Sequence, residues 1–403
     1  MVTAGGALSP LGRTDKPDWD TPGCSQAEYS LTSTVYVLHA GGEHVDSDRE
    51  ACLTMTAPSS SRRALLRGLP ALVWLAGTAR AQNGTSKPER PRISMAVNEG
   101  SALYQLPLTV AAQLRYFAAE GLDVEFHEFG GTGPIQQSLA KGASDLAVGG
   151  IENAIMLRQR GLDCLAFVLL GRAPQLVFGV STRAVPAFRH LSQLRGARIG
   201  ISAQEPATHW FAKLVLVRSG LVPAEVEFVA LNSTVAAVAA LREGEIAAIA
   251  HFDPLISLLE ARGDIRVVTD TRLLRSTQEL FGGPMPGGSL YAPAEFLQRN
   301  PRTVQGITNA VVKALKWLKT AGPSDIVRAM PEVSMHGDRA VFLGAFEKSR
   351  EALSPDGVLT ELGAQTAVRL VERYGALTPP VRVLAEAVYT NEFARKAKQR
   401  YQA

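Results

Sequence analysis

The chain has 403 residues, 46% hydrophobic and 20% charged, which is enough apolar material for a full core. At about 150 residues per domain its length suggests two. The formal net charge of +4 arises from 42 basic and 38 acidic residues mixed along the sequence. No long like-charge block marks a nucleic-acid arm, so nucleic acid is excluded as the expected partner.

Residues 1–54 are polar, rich in Gly and Asp, and end just before Met55, so they read as a mis-assigned or disordered extension ahead of a true start at Met55. Residues 55–81 have the layout of a signal peptide: Ser61-Arg62-Arg63-Ala64-Leu65-Leu66-Arg67, an apolar stretch from Leu69 to Ala76, then small residues at Ala79 and Ala81. Cleavage is expected after Ala81. The apolar run is shorter than the roughly 20 residues a bilayer span needs, and Pro70 interrupts it. The paired arginines resemble the twin-arginine export motif, although Leu65 stands where phenylalanine is more usual; a Sec signal fits as well. Gln82, not a cysteine, begins the expected mature chain, which disfavours a lipid anchor.

After a polar linker at 82–90, short strand-like runs alternate with amphipathic helices, the pattern of an α/β protein. Arg92 to Val97 reads as a strand and Tyr104 to Glu120 as a helix, with Leu106, Val110, Leu114 and Phe117 on one face and Gly121 as its stop. A strand from Asp123 to Glu128 runs into Gly130-Gly131-Thr132-Gly133-Pro134, which opens a helix from Ile135 to Lys141. Further strands are expected at Leu146 to Val148, Leu165 to Leu169, Leu176 to Val180, Arg198 to Ile201, Val226 to Val229, Ile246 to Ala250 and Ile265 to Val268. Cys164 borders the apolar run 165–170 and reads as a buried, inert thiol, because an apolar setting raises a thiol pKa. No zinc spacing or disulfide framework is present, and no cofactor is implied.

Pro186 to Gln193 and Thr271 to Gly288 read as linkers. Two crossings there would place residues 91–185 plus 276–403 in a first lobe and 186–275 in a second. Beyond Tyr291 the chain is mainly helical, and Val304, Ile307, Val311, Leu315 and Leu318 form the core stripe of a helix from Arg302 to Ala321.

The run from Gly130-Gly131-Thr132-Gly133-Pro134-Ile135-Gln136-Gln137-Ser138-Leu139-Ala140 to Lys141-Gly142-Ala143-Ser144-Asp145-Leu146-Ala147-Val148-Gly149-Gly150 resembles the nitrate, sulfonate and taurine-type solute-binding proteins of ABC importers. That family also includes binders of thiamine-pyrimidine precursors. The resemblance continues through Leu194 to Gly200 and through Gly244 to Ile249 before His251-Phe252-Asp253-Pro254, and spans Arg92 to near Gly375. It implies a two-lobed, type II periplasmic binding protein-like α/β fold with two crossover hinge segments. The expected function is capture of a sulfonate, a nitrate- or taurine-like solute or a related nitrogenous compound. The protein would act without catalysis, as a periplasmic monomer serving a membrane permease. The alternative is an enzyme on the same fold, resembling pyrimidine-precursor synthases or menaquinone-pathway enzymes. The synthases' cysteine-rich, iron-associated segment has no counterpart here, since Cys164 is the single cysteine after Ala81.

A cleft that replaces a solute's hydration shell needs fixed dipoles, and strand-to-helix turns supply free backbone N–H groups. Such turns occur at Asn98 to Ser101, Gly131-Thr132, Gly149-Gly150-Ile151-Glu152-Asn153 and Ser202 to Trp210, and from them Asn98, Ser101, Gly131, Thr132, Gly150, Ile151, Glu152, Ser202, Thr208, His209 and Trp210 are the candidates. Asn232 and Asp253 come from similar turns later in the chain. Each has an ordinary alternative as a helix cap, and Trp210 has one as core. Ser202, His209 and Asp253 could be drawn as a catalytic set, but no nucleophile elbow supports it. Glu99, Glu152, Glu205 and Asp253 would repel a bare nitrate-like anion unless turned away or paired, which leaves a zwitterion, an amine or a hydrogen-bonding heterocycle open.

Overall fold

A computed structural model describes residues 87–98, 103–204, 206–231, 233–335, 338–375 and 382–403. The expected extension and signal peptide at 1–81, and the candidates Ser101 and Asn232, lie outside the described residues, as do Glu99 and Glu205.

The chain opens with β1 (Arg92–Asn98), α1 (Leu106–Gln113), α2 (Tyr116–Ala119), β2 (Asp123–Phe129), α3 (Thr132–Ala140), β3 (Leu146–Gly150), α4 (Ile151–Gln159) and β4 (Cys164–Leu169). It continues through β5 (Leu176–Ser181), β6 (Arg198–Ile201), α5 (Pro206–Arg218), β7 (Glu227–Ala230), α6 (Thr234–Glu243), β8 (Ala248–Phe252), α7 (Leu255–Ala261), β9 (Ile265–Asp270) and α8 (Leu274–Phe281). It then forms β10 (Gly288–Pro293), α9 (Ala294–Arg299), α10 (Pro301–Thr320), α11 (Pro323–Ala329), α12 (Arg339–Ser349), α13 (Glu361–Tyr374) and α14 (Glu392–Tyr401).

Two five-stranded sheets result, in the orders β2-β1-β3-β10-β4 and β7-β6-β8-β5-β9. They share one plan. In each, four strands run parallel and the fourth position is held by an antiparallel strand, β10 in the first and β5 in the second. Both odd strands are the first laid down after the chain changes sheet.

Side chains alternate across each strand, so both faces of both sheets are apolar and helices cover both. In β1, Met95 joins a core with Val148 and Phe167 and with Val304 and Ile307 of α10, whereas Ala96 faces a second core with Ile151, Ile155 and Ala364. In the second sheet Phe178 and Val180 pack with Ile199 and Phe211, and Val177 packs with Ile249 and Leu259 on the other face. The stripe of α10 is buried as its spacing implies, each such side chain contributing about 1.5–3 kcal/mol. Cys164 is free and fully buried, and burial pushes its thiol up to about 12, so it is inert.

The first crossing differs from the sequence expectation. It lies between Leu169 and Leu176, not near 186, because β5 bonds to β8 and β9 and belongs to the second sheet. Pro186 to Gln193 therefore connects two strands of one sheet. An apolar run such as Leu176 to Val180 is equally at home in either sheet, and nothing local selects one. The return crossing at 271–287 is not open linker but carries α8, whose Leu280 packs into the second sheet's core. The two crossings run side by side, with Gly287 N–H donating to Gly171 O at 2.7 Å and Thr271 N–H to Leu176 O at 2.8 Å. The expected helix 104–120 is interrupted at Arg115, which adopts a left-handed conformation between α1 and α2. Among the described residues no helix is long and apolar enough to cross a membrane.

Candidate functional site

In an open parallel sheet the turns at the strands' carboxyl ends share one edge, and ligands bind there. Such turns from both sheets border one cavity of about 340 Å³. The first sheet supplies Asn98 at the end of β1, Gly131 and Thr132 after β2, and Gly150 and Glu152 at the junction of β3 with α4. The second supplies Ser202 after β6, Thr208 on α5, Ser233 and Thr234 after β7, and His251 to Asp253 at the end of β8. The crossings add Pro174 and Met285 to Gly288. The N-termini of α3, α4 and α6 lie at this lining, each with backbone N–H groups unsatisfied within its own helix.

Two glycines make the first-sheet wall. Gly131 has φ 136°, a conformation side chains resist, and starts α3 directly from the end of β2. Gly150 is extended, yet a Cβ there would collide with the carboxylate of Glu152, which folds back over it; Asn153 folds back over Gly149 in the same way. The pair leaves room for two acceptor-bearing side chains. Glu152 is 6% exposed, and its Oε2 has no hydrogen-bond partner among the described residues; nor has Asn153 Oδ1. Desolvation raises the Glu152 carboxyl to about 7, partly opposed by its own backbone N–H.

Asn98 Nδ2 donates to the hydroxyl of Tyr104, whose ring packs at 5.3 Å from that of Phe252. Tyr104 therefore ties the first sheet's turn to β8, and burial raises its pKa, keeping it neutral. Across the cavity the hydroxyls of Ser202 and Thr208 are 2.8 Å apart, and Thr208 Oγ1 also accepts the Ser202 N–H at 3.1 Å. Ser233 acts as a cap, its hydroxyl accepting from Ala236 N–H at 3.2 Å. His251 is held at about 4 by desolvation and is neutral at pH 7.

The cavity lining thus includes Asn98, Gly131, Thr132, Gly150, Glu152, Ser202, Thr208 and Asp253 of the sequence candidates. Three others need correction. Ile151 points into the core beneath the first sheet. Thr208 and Phe211, three residues apart, share the cavity face of α5, which turns His209 and Trp210 away. His209 packs on Phe228 with ring centroids 4.6 Å apart, and Trp210 is buried beside Tyr374 at 6.3 Å. Asp253 borders the cavity, but its carboxylate is already engaged: Oδ2 pairs with Arg272 at 2.9 Å and Oδ1 accepts the Ser257 N–H at 2.8 Å. Ser202, His209 and Asp253 therefore form no catalytic set.

Tyr104, Phe129, Asn153, His251, Phe252 and the stretch from Met285 to Gly288 were not among the sequence candidates, yet all line the cavity. Asn153 had a signal, since it lies one residue beyond Glu152 at the start of α4. Tyr104 had none, because its place in the site depends on Phe252, far away in sequence. No Lys or Arg occurs among the described lining residues.

The model of the family described as NMT1/THI5 like matches residues 103–323. A solved structure from Bordetella bronchiseptica RB50 is 39% identical, with a TM-score of 0.73, covering 79% of this chain and 100% of that one. The alkanesulfonate-binding protein SsuA from Xanthomonas axonopodis pv. citri, bound to MOPS, is 20% identical with a TM-score of 0.60, covering 75% of this chain and 99% of its own. The periplasmic nitrate-binding protein NrtA from Synechocystis PCC 6803 is 12% identical with a TM-score of 0.60, covering 78% and 90%. The likeness to the last two is one of fold: two α/β lobes joined by two crossovers, as in type II periplasmic binding proteins.

Proposed function

The chain belongs to the NMT1/THI5-like family, and from that premise we propose that it is the solute-binding component of an ABC importer. It captures one small molecule and passes it unchanged to a membrane permease; the resemblance offers sulfonates, taurine-like and nitrate-like solutes and related nitrogenous compounds as the classes to test. The protein acts as a monomer in the periplasm, exported by the segment 55–81. Residues 87–170 plus 288–403 form one lobe and residues 176–270 the other.

One observation carries this reading: a single cavity takes its lining from the strand ends of both sheets. A solute touching both walls gains contacts that exist only when they are close together, and so favours the closed arrangement. To move a two-state hinge from a closed-to-open ratio of about 1:99 to one of about 99:1, those contacts must be worth about 5.5 kcal/mol. The paired crossings at Gly171 and Gly287 give the rotation its axis, and 340 Å³ lies at the small end of ligand pockets, which run from about 300 to 1,000 Å³.

The reading is tested by calorimetric titration against a library of small sulfonates, carboxylates, amines and heterocycles, with bound compound recovered and weighed by mass spectrometry. Saturable binding of one molecule per chain, recovered intact, is the expected result. Recovery of a converted product would replace the binding protein with an enzyme.

A further inference from the structure

Most polar groups in the cavity wall are answered from within the fold. Asp253 is held by Arg272, Thr208 by Ser202, Ser233 by the start of α6, and Asn98 by Tyr104. Glu152 and Asn153 are exceptions. Glu152 is 6% exposed and lines the cavity, and its Oε2 meets no donor among the described residues. Asn153, next along α4, leaves its buried Oδ1 equally unanswered. Arg272 cannot serve them, because its guanidinium is shared among Asp253, Asp270 and Glu260. Two buried acceptors side by side, one of them ionisable, carry a desolvation penalty, which protonation of Glu152 relieves in the empty cavity and an incoming donor relieves in the ionised form. A bare sulfonate or nitrate brings no such donor, and above about pH 7 it would place a second negative charge beside the ionised Glu152.

We propose that Glu152 determines the specificity of this cavity, and that the solute presents an N–H donor group to Glu152 and Asn153, as a protonated amine or an amidine-like edge, and is not a net anion. The body of that solute lies against apolar surface from Phe129, Phe252, Phe281 and Met285. Its acceptors, where it has them, face the strand-to-helix turns at Thr132 and Thr234 that line the same cavity. The absence of a side chain at Gly150 leaves the space in which this carboxylate rests. Burial has also raised the carboxyl to about 7, so an arriving cation would bind the ionised form and displace a proton. This inference rests on the reading of the cavity as a solute site.

The test uses the chain from Gln82 onward and compounds matched in body but opposite in head group: benzylamine and benzamidine against benzoate and benzenesulfonate, measured by thermal shift and calorimetry at pH 8. The amine and amidine arm is expected to raise the melting temperature while the anions do not, and Glu152→Gln is expected to weaken that binding at least tenfold without unfolding the protein. Stabilisation by the anions instead, or amine binding untouched by Glu152→Gln, overturns the inference while leaving a solute-binding protein standing. Silence of both arms, extended to larger amines and anions, overturns the two together.

Discussion

Glu152 lies folded over Gly150, so that any side chain at position 150 would occupy the space of its carboxylate. Because Gly150 has φ −66° and ψ 155°, alanine suits the backbone there and the conflict is purely steric. Gly150→Ala should therefore displace the carboxylate at little cost in stability, because the colliding atoms are the far end of a flexible side chain beside open cavity. It should cost about tenfold or more in affinity for an amine-bearing solute, equivalent to about 1.4 kcal/mol. Chemical denaturation and calorimetry on the same protein separate the two effects. Full affinity in Gly150→Ala would show that the position of Glu152 is immaterial.

On the opposite wall, Thr208 is 1% exposed and its hydroxyl satisfies both the backbone N–H and the hydroxyl of Ser202. Thr208→Val keeps the shape and removes the acceptor, so it should lower stability by about 1–3 kcal/mol. Thr208→Ser should recover most of that loss. Equal melting temperatures for the valine and wild-type proteins would contradict the assignment.

Arg272 is buried with Asp253, Asp270 and Glu260 around it, and Lys348 of α12 also reaches Glu260 at 3.0 Å. Arg272→Met would leave Asp253 buried and uncompensated, a loss of about 3–5 kcal/mol measured by urea unfolding. Asp253→Asn should likewise affect stability more than ligand affinity, since that carboxylate is already committed.

The pH dependence follows from the raised carboxyl. In the folded protein Glu152 titrates near 7 rather than 4.5, so the folded state holds a proton that the unfolded chain has lost. Stability from this group is intact below pH 4.5 and declines as pH rises toward 7, by up to about 3 kcal/mol. His251 and His209, both lowered from 6.5 to about 4, act with the opposite sign and add stability as pH rises through that window, so the Glu152 contribution is read as the difference between wild type and Glu152→Gln. Tyr104 stays protonated, His251 is neutral above about 4, and Asp253 is paired with Arg272. Glu152→Gln should match wild type at pH 4.5 and melt at a higher temperature at pH 8 in the absence of solute. Parallel melting curves for the two proteins across that range would refute the assignment.

Much of the fold was legible because its signals are local. The alternation of strands and helices and the buried stripe of α10 follow from spacing alone. The turns at Gly131-Thr132 and Gly150 were legible as well, since a glycine pair between a strand and a helix points to a strand end. What was not legible depends on distant partners. The sheet that receives Leu176–Ser181 is chosen by pairing with β8 and β9. The engagement of the Asp253 carboxylate depends on Arg272, 19 residues away, and the entry of Tyr104 depends on Phe252. For His209 and Trp210 the error lay in rotation about α5: the right turn was found, but a helix shows only every third or fourth side chain to one side.

The central claim is that one molecule bridges two walls contributed by separate sheets. Titration calorimetry of the best-binding compound against wild type, Glu152→Gln and Phe252→Ala tests it most directly, Glu152 standing on the first sheet's wall and Phe252 on the second's. A stoichiometry of one, with affinity reduced by either change, is the predicted result. Loss confined to one wall, or two independent sites, would contradict it.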